Sequence, residues 1–395
     1  MTLLNKNWSL NVNNFSLIDK LKISYFILNP KNRWTQDKQV QAFEKKFAQF
    51  VGSKYAVFVS SGSTANSLIA QYYKSTQKDT KKNIVVLPST TWQTSCAPWI
   101  QAGFESYFID ISMTDFSLDK FKLEDYVKNN HEKIACIFPT SLIGYVPDME
   151  FYLELKKKYK VNIAFDNCEN TLGNFNNNNV SSFFTSSTST YFGHQIQSIE
   201  GGFIFTNSEQ EYHYFLMNRN HGMTRSLSVY GIDNKQYVNK DVDGLFDFYS
   251  LGTNFRNTDL NAFIGQLDFN RSNFYSYKRK HLYSKFKLDP IKFYLPEPNR
   301  KDGISDVPFC LPVIIKNSNK QLFDKALEIC KQNGIEYRPI ISGYLGYQTC
   351  YKKYFKSEKK YPNSVYIHNY GFYIGLHSGV TDKQIIDLVN KLNNL

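Results

Sequence analysis

Between about residues 45 and 210, short apolar runs alternate with helical stretches, and this alternation restricts the fold more than any other feature of the chain. The runs AVFV (56–59), NIVVLP (83–88), YFIDI (107–111), KIACIF (133–138) and VNIAFD (161–166) are of strand length and rich in β-branched residues. A strand apolar on both faces must be covered on both faces, and helical patterns such as 148–160 lie between the runs. The expectation is an α/β class fold whose large domain has a mostly parallel sheet flanked by helices. FIFTN (203–207) and a helix after it close this block. A long helix is expected from Thr258 to about Lys285, with a polar second half suited to linking domains. The remaining hundred residues read strand, helix, strand, strand, helix, a smaller C-terminal α+β domain. The expected division is an N-terminal arm (1–40), a large domain (41–257), a linking helix (258–285) and a small domain (286–395). The polar run NFNNNNVSS (174–182) reads as a surface loop.

A chain of 395 residues is long enough for such a two-part core. No apolar run reaches the roughly 18–20 residues of a membrane span. The start, MTLLNKNWSLNVNN, has no apolar signal core, so a cytoplasmic protein with no membrane association is expected. The net charge of +12 fits either nucleic acid or a phosphate-bearing small molecule. The lysines are scattered and no nucleic-acid motif accompanies them, which favours the small molecule. The six cysteines are far apart in sequence and make no metal-ligand pattern, so reduced thiols and no metal are expected.

Three segments carry candidate chemistry. SSGSTANS (60–67) follows a strand and opens a helix, where small residues and free N–H groups favour a phosphate; a plain turn and helix cap reads the same way. In VNIAFDNCEN, Asp166 falls at the carboxyl end of a strand, where open α/β sheets place ligand-binding groups. A carboxylate there could keep a pyridine nitrogen protonated, and it could equally be a loop or capping residue. In STSTYFGHQIQSIEGGFIFTN (187–207), a hydroxyl-rich strand runs into Gly193 and His194, and a lone histidine is as readily structural as catalytic.

Taken in order, these segments resemble the DegT/DnrJ/EryC1/StrS sugar aminotransferase family of pyridoxal-phosphate enzymes, of fold type I. FEKKFAQFVGSKYAVFVSSGSTAN, LPSTTWQTSCAPWIQAGFESYFIDI, IGYVPDM, AFDNCEN, NRNHGMTR, GTNFRNTDLNAFIGQLDF and GIEYRPII carry the resemblance over most of the chain. It implies that Ser61, Gly62, Ser63 and Thr64 cradle the cofactor phosphate, with Ser189 adding a hydroxyl. It also implies that Trp92 stacks on the pyridine, that Asp166 pairs with the pyridine nitrogen and that Glu169 belongs to the same cofactor site. Asn254 matches the residue lent to the phosphate across a dimer interface, which implies a homodimer. Arg225, Arg256 and Arg338 lie in matching stretches as candidates for the substrate diphosphate or a carboxylate, and ion pairing accounts for them equally well.

The departure from the family pattern is His194, which stands where the aminotransferases carry the lysine that binds the cofactor covalently. No lysine occurs anywhere from Val161 to Asn234. An imidazole cannot make that covalent link, but it can move protons near neutral pH. This replacement resembles the sugar 3-dehydratase branch, of the GDP-4-keto-6-deoxymannose type. A sister type holds an iron–sulfur cluster through closely spaced cysteines; this chain has none between Cys168 and Cys310, so no cluster is expected. The resemblance thus implies a dehydratase using pyridoxamine 5'-phosphate or pyridoxal 5'-phosphate on a nucleotide-linked 4-keto-6-deoxy sugar, with L-glutamate as amine donor and a place in lipopolysaccharide or capsule sugar synthesis. A lysine-independent aminotransferase releasing an amino sugar, and a non-catalytic cofactor-binding homologue, remain as alternatives.

Overall fold

The apolar runs become strands of one mixed sheet. A computed structural model describes residues 8–296 and 301–395, so the first seven residues of the expected arm lie outside the described residues. The strands are β1 (Tyr55–Val59), β2 (Ile84–Pro88), β3 (Glu105–Ile109), β4 (Ile134–Ile137), β5 (Ala164–Asp166), β6 (Thr185–Ser189) and β7 (Gly202–Thr206). Hydrogen bonding orders them β3-β2-β4 and β5-β6-β7-β1, and the parallel bridges Ile137–Ile163 and Thr140–Asp166 join the two groups. Only β7 runs antiparallel to its neighbours. Helices cover both faces, as strands buried on both sides require. One face buries Trp99, Leu68 and Phe215; on the other, Phe43, Phe47, Phe58 and Phe203 form an aromatic cluster. Because β1, β5 and β6 are parallel, Ser61, Asp166 and Ser189 emerge at the same edge of the sheet.

α3 (Gly62–Ser75) begins with a Ser61 side-chain cap, the turn-and-cap arrangement that SSGSTANS allows, after α1 (Leu17–Leu28) and α2 (Lys38–Val51). Next come α4 (Gln93–Gln101), α5 (Lys120–Asn130), α6 (Met149–Tyr159) and α7 (Glu209–Asn218). The single helix expected from Thr258 to Lys285 is instead two, α8 (Asp259–Phe269) and α9 (Ser272–Lys285). The break has an electrostatic cause. Asp268 turns inward to accept from Gln197 N at 2.9 Å and the Tyr275 hydroxyl at 2.7 Å, and Arg271 is drawn to Asp19 at 2.6 Å. The run NFNNNNVSS also differs from a plain loop. Asn174–Phe175 and Asn178–Asn179 pair as a hairpin through Asn176 and Asn177, both at positive φ, a conformation asparagine tolerates better than most residues.

The C-terminal part folds as an antiparallel sheet of β8 (Phe293–Tyr294), β9 (Cys310–Ile315), β10 (Tyr337–Pro339) and β11 (Gly371–Gly375), in the order β8-β9-β11-β10. Its core continues into Trp8, Ile143 and Tyr145. Trp8 reaches it because the start of the described chain lies against this sheet. The indole N–H donates to Gly375 O at 2.8 Å, and Glu336 N donates to Trp8 O at 2.8 Å. Among the described residues, no helix is long and apolar enough to cross a membrane.

Candidate active site

At the carboxyl ends of the parallel strands lies a cavity of about 520 Å³. Asp166 sits in its floor, 3% exposed. Its carboxylate accepts from Asn66 Nδ2 at 2.8 Å, Ser95 Oγ at 2.7 Å and Cys168 N at 3.0 Å. Ser187 Oγ donates to Asn66 Oδ1 at 2.5 Å, which turns the amide nitrogen towards the acid. On one side α3 points its N-terminus at the cavity, with Ser61 Oγ accepting from Thr64 N and Thr64 Oγ1 accepting from Ser61 N at 3.0 Å. This turn must lie flat against the strands behind it. A Cβ on Gly62 would come within 2.7 Å of Cys168 Sγ, and one on Gly202 within 2.4 Å of the Ser61–Gly62 backbone.

His194 occupies the wall beyond Ser189. The loop that carries it is closed by Thr190 N donating to Gly201 O and Ser198 N to Thr190 O, both at 2.8 Å. The Nδ1 nitrogen lies 2.7 Å from Cys168 O. A carbonyl can only accept, so Nδ1 carries the proton and Nε2 keeps its lone pair. Burial pushes the imidazole down to about 4, with the Cys168 bond and the Asp166 charge opposing and Arg279 adding to it. The ring is therefore neutral at pH 7, with the Nε2 lone pair available. Glu169 behaves oppositely. Burial, with the Asp166 charge, pushes its carboxyl up to about 8, although Ile143 N donates to it at 2.8 Å.

The structure brings Ser61, Gly62, Ser63, Trp92, Asp166, Glu169, Ser189, His194 and Arg338 to the cavity. Thr64 lies behind, capping the turn, while Arg225, Asn254 and Arg256 do not line it. Asn254 and Arg256 are exposed, joined by an Nε–Oδ1 bond of 3.0 Å, and Arg225 stacks over Phe246. Sequence reasoning missed Asn66, Ser95 and Thr94, the Cys168 carbonyl, Tyr275 and Arg279 from α9, His377, and Asn11 and Asn14 from the N-terminal segment. Asn66, Thr94, Ser95 and Cys168 lay within the SSGSTAN, TTWQTSC and AFDNCEN motifs and could have been found there. Tyr275, Arg279, His377, Asn11 and Asn14 come from segments whose approach to the cavity is purely tertiary.

These residues fit a pyridoxal-type cofactor. Asp166 is a buried carboxylate with three donors and no cationic side chain in ion-pair contact among the described residues, an arrangement that calls for a cationic ligand group such as a protonated pyridine. The α3 terminus and the Ser61 and Ser189 hydroxyls supply donors that a phosphate needs, while Ser63 Oγ, also at the cavity, donates to Thr94 Oγ1 at 2.9 Å. Residues 27–393 match the DegT/DnrJ/EryC1/StrS aminotransferase family. GDP-4-keto-6-deoxy-D-mannose 3-dehydratase of Yersinia pseudotuberculosis is 29% identical over 91% of this chain and 92% of its own length. The enzyme of the same name from Escherichia coli O55:H7 is 30% identical over 87% and 89%. A crystal structure of GDP-4-keto-6-deoxymannose-3-dehydratase with a trapped PLP-glutamate geminal diamine aligns with a TM-score of 0.86, at 26% identity, over 98% of this chain and all of that one.

Proposed function

Since the chain belongs to the DegT/DnrJ/EryC1/StrS aminotransferase family, we propose that it is a pyridoxamine/pyridoxal-phosphate-dependent 3-dehydratase of a nucleotide-linked 4-keto-6-deoxy sugar. L-Glutamate is the amine donor in this reading, and a deoxysugar of a surface polysaccharide is the destination of the product. The observation that carries the proposal is His194. Its Nε2 is free and its tautomer is fixed by Cys168 O, at the position that the sequence resemblance matches to the family's lysine.

When bound, the pyridine ring would take up the electrons freed by proton removal and deliver them for the expulsion of the sugar hydroxyl. The protein's part is binding, orientation and proton movement. Asp166 keeps the pyridine nitrogen protonated, Trp92 covers the ring, and Ser61 and Ser189 hold the phosphate. His194 Nε2, with its lone pair free, would accept a proton at the reactive end of the bound cofactor and could return it to the departing C3 hydroxyl, since the two transfers are sequential. Lys278 is the one lysine lining the cavity among the described residues. It comes from α9, beside Tyr275 and Arg279, and not from the wall of His194.

Two finer points belong to the same reading. The enzyme works as a homodimer whose subunits each lend Asn254 to the other's cofactor. It acts in the cytoplasm, for which its six free cysteines are the supporting observation. The test is incubation of the loaded enzyme and glutamate with a panel of nucleotide-linked 4-keto-6-deoxy sugars. The expected product has lost one oxygen and is accompanied by ammonia. Release of an amino sugar without ammonia would turn the assignment to transamination.

A further inference from the structure

Arg279 is placed unlike the other cavity cations. It is 7% exposed, on the inner face of α9 one turn after Tyr275, and it lines the cavity. Its Nη1 donates to Pro308 O at 3.2 Å and Phe309 O at 2.7 Å. Its Nε and Nη2 have no protein acceptor, and no carboxylate stands within ion-pair distance, among the described residues. Arg338, by contrast, is half exposed and already paired with Glu336 at 2.6 Å. A buried guanidinium without an anion is costly, and its pKa is pushed down to about 10 by that burial. Its field also lowers both His194 and His377. The charge therefore stands close to the proposed base and lacks a counter-ion.

The geometry points to Arg279 as the anchor for a carboxylate of the dicarboxylate amine donor, a role that rests on the proposed function. The position discriminates between the two anions the enzyme would meet. A nucleotide diphosphate belongs to the bulky end of a substrate that reaches the mouth of the cavity, where Arg338 is exposed. A small amino acid must place its nitrogen at the reactive end of the cofactor, beside His194, and so brings its carboxylates within the field of Arg279. The planar guanidinium, held on one side by the two backbone carbonyls, presents its remaining N–H groups for a forked contact with a carboxylate. The same Nη1 bonds hold Phe309, whose ring lies 5.4 Å from that of His194, so a purely structural role is the reading to be tested against.

The experiment separates the half-reactions of the pyridoxal-phosphate-loaded enzyme. Arg279→Met should weaken the apparent affinity for glutamate about 10- to 100-fold, as loss of a charge-assisted contact does. The KM for the nucleotide sugar should be unchanged, and Arg279→Lys should recover part of the loss. Calorimetry on the wild type needs no variant: glutarate should bind and neutral glutaramide should not. Loss of sugar affinity alone would assign Arg279 to the diphosphate and overturn the proposal. So would equal loss in both half-reactions with a lowered Tm, which is the structural reading, or absence of glutarate binding. If glutamate reacts as expected but no keto sugar is dehydrated, the proposed function fails and the anchor stands.

Discussion

At His194, the proposed base, the identity of one hydrogen-bond acceptor sets the protonation state of the ring. A carboxylate beside Nδ1 would have raised the imidazole pKa; a carbonyl fixes the tautomer and leaves burial to lower it to about 4. His194→Asn keeps a polar group of similar size but no proton acceptor of that strength. It should lower turnover by about 10²–10⁴-fold while pyridoxal phosphate still binds, as read by absorbance titration. Unchanged turnover would remove His194 from the mechanism. His194→Lys should create the absorption band of a covalently held cofactor; borohydride trapping on Lys278 in the wild type would instead contradict a free cofactor. Glu169 gives a pH prediction with a definite sign. Its folded carboxyl titrates at about 8, above the unfolded value of 4.5, so between those pH values the folded state holds a proton that the unfolded state has lost. Stability from this group is thus full below about pH 4.5 and declines as pH rises to about 8. Glu169→Gln cannot ionise, so its Tm relative to wild type should climb across that window and level off above it. A constant difference would mean that Glu169 is ionised in the folded protein.

The elements around the site owe their positions to contacts of very different range. The first turn of α3 is set by neighbouring residues, Ser61 and Thr64, and by the space that Gly62 leaves free. Gly62→Ala forces its methyl against Cys168 Sγ and the Ser189 Cβ, which lies 3.0 Å from the new atom. Overpacking of this kind costs about 1–3 kcal/mol. The turn shifts and carries its phosphate donors out of position, so the Kd for pyridoxal phosphate should rise about tenfold, the worth of about 1.4 kcal/mol. An unchanged Kd would show that the turn is not the phosphate cradle. Contact range also explains what the sequence could convey. The strands, most helices and the Ser61–Thr64 turn have local signatures and were legible; so was Asp166, through its place at a strand end. The division of the 258–285 helix was not, because Arg271 answers to Asp19, 252 residues away in sequence. The N-terminal segment was read only as an arm, because Trp8 finds its pocket against Ile335 and Gly375. Burial of that indole anchors the segment carrying Asn11 and Asn14 to the cavity. Trp8→Ala should cost about 3–5 kcal/mol of stability, measured by urea unfolding, if the arm unfolds together with the sheet. A loss under about 1 kcal/mol would show that the arm is docked only loosely.

At the scale of the whole molecule, the described chain brings the proposed pyridine partner, the proposed base and most of the proposed phosphate donors to one cavity, but not Asn254. Arg256 Nε occupies its Oδ1, leaving Nδ2 without a partner among the described residues. Just before it, Leu245, Phe246, Phe248, Tyr249 and Leu251 are each more than half exposed. On α1, Leu17, Ile18, Leu21, Tyr25 and Leu28 lie on one exposed face. Exposed apolar groups on this scale mark a surface made to be covered. In the proposed twofold assembly a covered surface is shared by both subunits, and the proposed loan of Asn254 requires that this contact lie beside the partner's cavity. A charge placed in that patch then has two coupled effects. Leu251→Asp combined with Leu21→Asp should shift the protein from dimer to monomer by light scattering. It should also weaken pyridoxal phosphate binding about tenfold, the worth of one lost hydrogen bond to a charged group. The coupling is the discriminating feature, since neither substitution touches the cavity. A monomer that binds the cofactor as tightly as the wild type would show that the site is complete within one chain and that Asn254 has no part in it.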